Sequence, residues 1–262
     1  LIRISRGAEP DSLKEVRRVE LPRVRDALAA GEALTRELLK AKFRVAGEYL
    51  WKAQHHKCCY CEVIVAKRGN DVEHFRPAVS VQKTSERGYW WLAWNWDNLL
   101  FSCPACNRYE KNDLFPLANP SQRIQPEAQP PGGEIPLLLD PADPAAADPV
   151  DSIVFRRELG HWVPGARRGS VEGAETVKVL GLDYQDLLDL YDDHYDRMRA
   201  AIEAMEQAIS AANQTRIKAD WDVLVRHVKA ECLFSHLAFD IVDHHFPQAT
   251  RARYGLTLFK PS

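Results

Sequence analysis

At 262 residues, 45% of them hydrophobic, the chain is long enough for one large folded domain or two modest ones. A formal net charge of −2 and an isoelectric point near 6.5 argue against a freestanding general nucleic-acid binder, which would carry a basic excess, so any polyanion site is a local patch or is completed by a partner. There is no long apolar run and no charged-then-apolar leader at Leu1-Ile2-Arg3-Ile4-Ser5-Arg6, so the expectation is a cytoplasmic protein with no membrane partner.

The N-terminal region, residues 1–56, reads as helical after a short extended lead, with Pro22 a break or a helix start. A second helix is predicted from about Thr35 to Gln54. In it Leu39, Phe43, Ala46 and Leu50 fall at steps of four, three and four and form one apolar stripe. The opposite face carries Arg36, Lys40, Lys42 and Arg44, read either as a solvated face or as a backbone-phosphate contact surface.

Residues 57–117 read as short strands and turns that carry the chemistry. They hold two Cys-x-x-Cys pairs, Cys58/Cys61 and Cys103/Cys106, the spacing of two thiolate knuckles closing on one structural zinc. In a reducing compartment such pairs are metal ligands rather than disulfides. Cys59, inside the first knuckle, is read as a bystander or a substitute ligand, and Cys232 as a small buried hydrophobe on a helix. Asp71 to Phe75 is predicted to be a strand, Asn98 to Ser102 its antiparallel partner, and Pro104 the start of a helix on which Asn107 and Lys111 share a face. Four of the seven tryptophans fall in Tyr89-Trp90-Trp91-Leu92-Ala93-Trp94-Asn95-Trp96, where a core role is the commoner fate and base stacking the alternative.

Residues 118–170 form a proline-rich connector, with Pro130-Pro131-Gly132-Gly133 its strongest breaker, that wraps the surface or separates two lobes. A hairpin is expected around Ile153-Val154-Phe155 and His161-Trp162-Val163, turning at Glu158-Leu159-Gly160. Residues 171–262 are read as helical. Asp183 caps a helix whose seam is Leu188, Tyr191, Tyr195, Met198, Ile202, Met205 and Ile209, paired with a helix over about 215 to 243 that offers Trp221, Leu224, Val228 and Cys232 as scaffold or docking surface. His55 and His56, and Asp240, Asp243, His244 and His245, fit no closed metal geometry and are read as solvated.

The order Glu73-His74, Asn98-Leu99, Cys103-Pro104-Ala105-Cys106-Asn107, with Lys111 shortly after, resembles the HNH endonuclease motif. Together with Asp71-Val72, Phe75-Arg76-Pro77, the tryptophan run and Phe115-Pro116-Leu117, it resembles the HNH nuclease subunit of Septu-type anti-phage systems, also found with some retrons. Glu134-Ile135-Pro136-Leu137-Leu138-Leu139-Asp140-Pro141 is a weaker echo of the same family.

The resemblance implies a predominantly helical α+β protein with a zinc-clamped ββα-metal core. It further implies a nuclease that cuts nucleic acid, DNA first and RNA as the alternative, in a hetero-oligomer with an ABC-type ATPase. The residue types suit phosphodiester hydrolysis. His74 is the expected general base, and Glu73 and Asn107 are hard oxygen ligands for one catalytic Mg²⁺ or Mn²⁺. By resemblance Asn98 holds the loop and orients His74, while Lys111 or Arg76 contacts phosphate. Glu73 stands where many members have aspartate, which leaves the metal preference open. A nonenzymatic zinc module binding nucleic acid or protein is the competing reading.

Overall fold

The computed structural model describes residues 1–81 and 87–261. Among the described residues half are helical, with two small two-stranded sheets, consistent with the α+β class expected. No helix among the described residues is long and apolar enough to cross a membrane. The chain divides into two compact units, one of Ile4–Tyr60 and Ile64–Ala147, the other of Leu1–Arg3, Cys61–Val63 and Asp148–Ser262.

The first unit opens with α1 (Asp11–Ala29), which buries Leu13, Glu20 and Val24. Pro22 neither breaks nor starts this helix. It lies inside the helix and is exposed, as is Arg18 one turn before it, whose carbonyl the proline cannot bond.

The predicted 35–54 helix is three pieces: α2 (Arg36–Leu39), a 3₁₀ turn (Lys42–Ala46) and α3 (Gly47–Ala53). Thr35 caps the first piece, its hydroxyl accepting from Leu38 N at 3.1 Å. Lys40 and Ala41 then take left-handed backbone angles, φ 54° and 43°, which end any α-helix. Leu39, Ala46 and Leu50 are buried as the stripe requires, but Phe43 is only half-buried. A Cβ on Gly47 would sit 3.3 Å from Val72 Cγ2, so α3 lies tight against the first strand.

Strands β1 (Asp71–His74) and β2 (Leu99–Ser102) pair antiparallel, Asp71 opposite Ser102 and His74 opposite Leu99, within a residue of expectation. After Pro104 the chain winds into a π-helix (Ala105–Lys111), wider than the helix foreseen, closed by Asn112 N donating to Asn107 O at 2.7 Å. The tryptophans are core: Trp90, Trp91, Trp94 and Trp96 are all buried, with Trp91 Nε1 donating to Ala128 O at 2.8 Å and Trp96 Nε1 to Gly7 O at 3.1 Å. The connector is tied down by Glu134, whose buried carboxylate accepts from Arg76 Nε at 3.0 Å, Tyr89 Oη at 2.5 Å and Ile124 N at 3.1 Å.

In the second unit a short helix α4 (Pro149–Ser152) leads into a hairpin, β3 (Ile153–Glu158) and β4 (His161–Ala166), where the sequence places it. Its two-residue turn has Leu159 at φ 49° and Gly160 at φ 96°, the left-handed pair that a tight hairpin needs. Helices α5 (Val171–Val179) and α6 (Gln185–Ser210) follow. Asp183 is not the cap of α6; Tyr184 holds that position without a side-chain bond.

The seam of α6 is real: Tyr191, Met198, Ile202 and Met205 are buried in one cluster with Trp162, Trp221 and Leu224. Each fully buried aliphatic side chain there stabilises the unit by about 1.5–3 kcal/mol.

The predicted 215–243 helix is interrupted. It becomes α7 (Gln214–Leu224), a 3₁₀ turn (Val225–Val228), a bend, α8 (Ser235–His245) and α9 (Gln248–Tyr254), with Phe234 left-handed at φ 48° before α8. Cys232 therefore sits half-buried in the bend, donating to Arg226 O, rather than on a helix. Asp240 is buried, accepting from Phe155 N at 2.8 Å and from Arg167, so it is not the solvated group expected.

Candidate active site

The four sulfurs of Cys58, Cys61, Cys103 and Cys106 lie within 4.8 Å of one another, three of the cysteines buried and Cys103 half-buried. A tetrahedral zinc with bonds of about 2.3 Å sets its thiolates about 3.8 Å apart, which this cluster accommodates. Cys106 N donates to Cys103 Sγ at 3.5 Å, the backbone-to-sulfur bond that favours a thiolate at a knuckle. The donor set and the spacing both suit zinc. Cys59 stands outside the cluster; it is buried, and that burial pushes its thiol well above the ordinary range.

Beside the clamp, β1, β2 and the π-helix position the polar groups. Glu73, His74 and Asn107 line one cavity of about 560 Å³ together with Phe43, Arg36, Arg44 and Arg108. The tautomer of His74 follows from its neighbours. Nε2 lies 2.9 Å from Ala93 O, which can only accept, so Nε2 carries the hydrogen and Nδ1 keeps a lone pair. Burial, helped by the nearby Lys111 ammonium, holds the imidazole down to about 4, so it is neutral at pH 7. Phe43 packs edge-on to the ring at 4.4 Å.

Glu73 is 3% exposed, and its Oε1 lies 2.6 Å from Lys111 Nζ. Burial raises this carboxyl while Lys111 opposes the rise. Lys111 is wholly buried, and its ammonium also donates to His74 O at 2.9 Å. Arg76 is likewise turned inward, onto Glu134 and over the Phe115 ring. Neither cation lies among the groups lining the cavity, because each is held by a buried carboxylate instead.

Asn98 is buried behind the site rather than in it. Its Oδ1 accepts from Arg76 N at 2.8 Å, and its Nδ2 donates to Arg76 O at 3.0 Å and Leu92 O at 3.3 Å. One amide thus fixes both backbone groups of the residue two beyond His74.

Arg108 clasps Asp71 with two bonds of 2.7 Å, stapling the π-helix to β1. Sequence reasoning missed Phe43 as a neighbour of His74, and Gln54, whose amide brackets Phe101, Nε2 to Phe101 O at 2.7 Å and Phe101 N to Oε1 at 2.8 Å. Neither carries a motif signal, since both contacts arise only when α3 and the turn before it fold over the strands.

The four-cysteine cluster fits a zinc-clamped HNH-like module. Among curated proteins, the Septu protein PtuB of Bacillus mycoides (strain KBAB4) is 35% identical over 146 residues, covering 53% of this chain and 47% of that protein. The chain thus matches about half the length of this relative. No protein-family model and no solved structure matches the chain.

Proposed function

We propose that the chain is an HNH endonuclease that hydrolyses phosphodiester bonds of nucleic acid, DNA foremost, as the effector of an anti-phage defence complex with an ABC-type ATPase. The observation that carries this reading is the single cavity shared by Glu73, His74 and Asn107 beside the cysteine clamp. Similarity to a Septu protein supports the defence setting.

The neutral imidazole accepts a proton from water at Nδ1 while Ala93 O holds the other nitrogen, so the ring cannot turn away during transfer. Glu73 and Asn107 offer a carboxylate and an amide oxygen from one cavity, a donor set suited to Mg²⁺ or Mn²⁺. Such an ion, when bound, supplies electrostatic stabilisation of the charge that builds on the phosphate and on the leaving 3′ oxygen. Lys111 holds the Glu73 carboxylate in place and Asn98 holds the loop that follows His74, so both act as positioning residues.

The test is cleavage of plasmid DNA and of a structured RNA by the purified chain with its ATPase partner, in Mg²⁺ and in Mn²⁺. His74→Ala is expected to lose cleavage while keeping its zinc and its melting temperature. Wild-type rates in that variant would sink the reading.

A further inference from the structure

The charges around the cavity are unevenly compensated. Asp71 is neutralised by Arg108 and Glu73 by Lys111, while Asp113 accepts the Ser80 hydroxyl at 3.0 Å. Arg36 on α2 and Arg44 on the following 3₁₀ turn also line the cavity, and both are exposed. Neither meets a carboxylate among the described residues, so two full positive charges stand on one wall. Lys42, from the same segment, is turned the other way, onto buried Glu20.

The backbone explains how two arginines eight residues apart reach one cavity. In an unbroken helix they would be separated by about 12 Å along the axis. The left-handed pair Lys40 and Ala41 folds the segment between them instead. Phe43, within the same bend, packs against the His74 ring, which ties this wall to the base.

We infer that the Arg36–Arg44 bend grips the phosphodiester backbone on either side of the bond to be cut, the ligand class being a nucleic-acid strand contacted at its phosphates without regard to base. The inference rests on the nuclease reading of Glu73 and His74. It assigns the phosphate contact to a segment that precedes the motif, and not to Arg76 or Lys111. Guanidinium groups suit this work because their planar fork matches two phosphate oxygens. Two local charges also let a chain of net charge −2 hold a polyanion at this wall.

The experiment measures binding in the cleavage-silent His74→Ala background of the full chain, by fluorescence anisotropy. The probes are a labelled DNA duplex and an RNA duplex of the same sequence, titrated from about 50 to about 200 mM salt, a range over which phosphate contacts weaken steeply. Arg36→Ala with Arg44→Ala is expected to weaken binding at least tenfold at the low end and to flatten the slope of log affinity against log salt by about 1.8, about 0.9 per phosphate released. The paired Arg→Lys variant keeps the slope, and the paired Arg→Gln variant repeats the alanine result with a polar side chain in place. Whichever duplex shows the arginine-dependent slope is the strand the bend accepts.

An unchanged slope and affinity in the alanine pair, or no binding of either probe by the parent, overturns the inference. Failure of the nuclease reading gives a different result: arginine-dependent binding with no His74-dependent cleavage by the His74-intact chain, which supports the grip and removes the enzyme.

Discussion

Lys111 and Glu73 form a buried ion pair, Nζ to Oε1 2.6 Å, with neither side chain more than 3% exposed. Removing one member of such a pair strands the other in a low-dielectric interior. Lys111→Met is therefore expected to cost about 3–5 kcal/mol in urea unfolding. Adding Glu73→Gln to it should return much of that loss, since no charge is left unpaired. Strict additivity of the two single effects would show that the pair is not coupled.

The cysteine cluster makes a compositional prediction. Wild-type protein should hold one tightly bound zinc per chain, and Cys103→Ser none, with loss of cooperative unfolding of the ββ and π-helical module. Cys59→Ser and Cys232→Ser should keep their zinc, because neither sulfur belongs to the cluster. Metal content by atomic absorption decides each case.

Asn98 offers a test of positioning apart from chemistry. Asn98→Ala removes three bonds and leaves the Arg76 N–H and C=O buried without their partner, at about 1–3 kcal/mol for each group. If the proposed nuclease reading holds, the cleavage rate should fall at least tenfold, because the loop after His74 is released, while affinity for the nucleic-acid probe stays near wild type. A large loss of affinity with the rate unchanged would show that Asn98 works in binding instead.

Stability should also depend on pH through His194, in the helical unit. Burial, with His227 and Arg197 nearby and Glu62 in opposition, lowers its imidazole to about 4 from an ordinary 6.5. The unfolded chain therefore takes up a proton that the folded chain refuses. The contribution is complete above about pH 6.5 and is lost as pH falls toward about 4, a change of about 3 kcal/mol at most. His227 is lowered too and acts in the same direction, so His194→Leu should reduce the slope without abolishing it. Chemical unfolding at about pH 7 and about pH 5 compares the two proteins; equal slopes would remove His194 from the account.

Elements defined by short-range chemistry were legible in the sequence. The knuckle spacing, the two strands after Asp71 and Asn98, and the Leu159-Gly160 turn each depend on a few adjacent residues. The α6 helix was legible as well, but the breaks in the expected 35–54 and 215–243 helices were not, since apolar periodicity survives a bend: Leu39, Ala46 and Leu50 all reach the core although Lys40 and Ala41 turn the chain between them. Phe234 interrupts the later helix in the same way. The inward turn of Lys111 and Arg76 was hidden for another reason. A lysine or arginine near a motif looks like a phosphate ligand until the carboxylate that captures it is seen, and Glu134 lies 58 residues from Arg76.

The Gln54 amide occupies the backbone N–H and C=O of Phe101 on the side of β2 away from β1, and Cys59 N adds a second bond to that carbonyl. A two-stranded ribbon left open along such an edge invites any extended peptide to add a strand. Here the invitation is withdrawn by one side chain and one knuckle amide. An extended peptide therefore finds no free rung to pair with at Phe101.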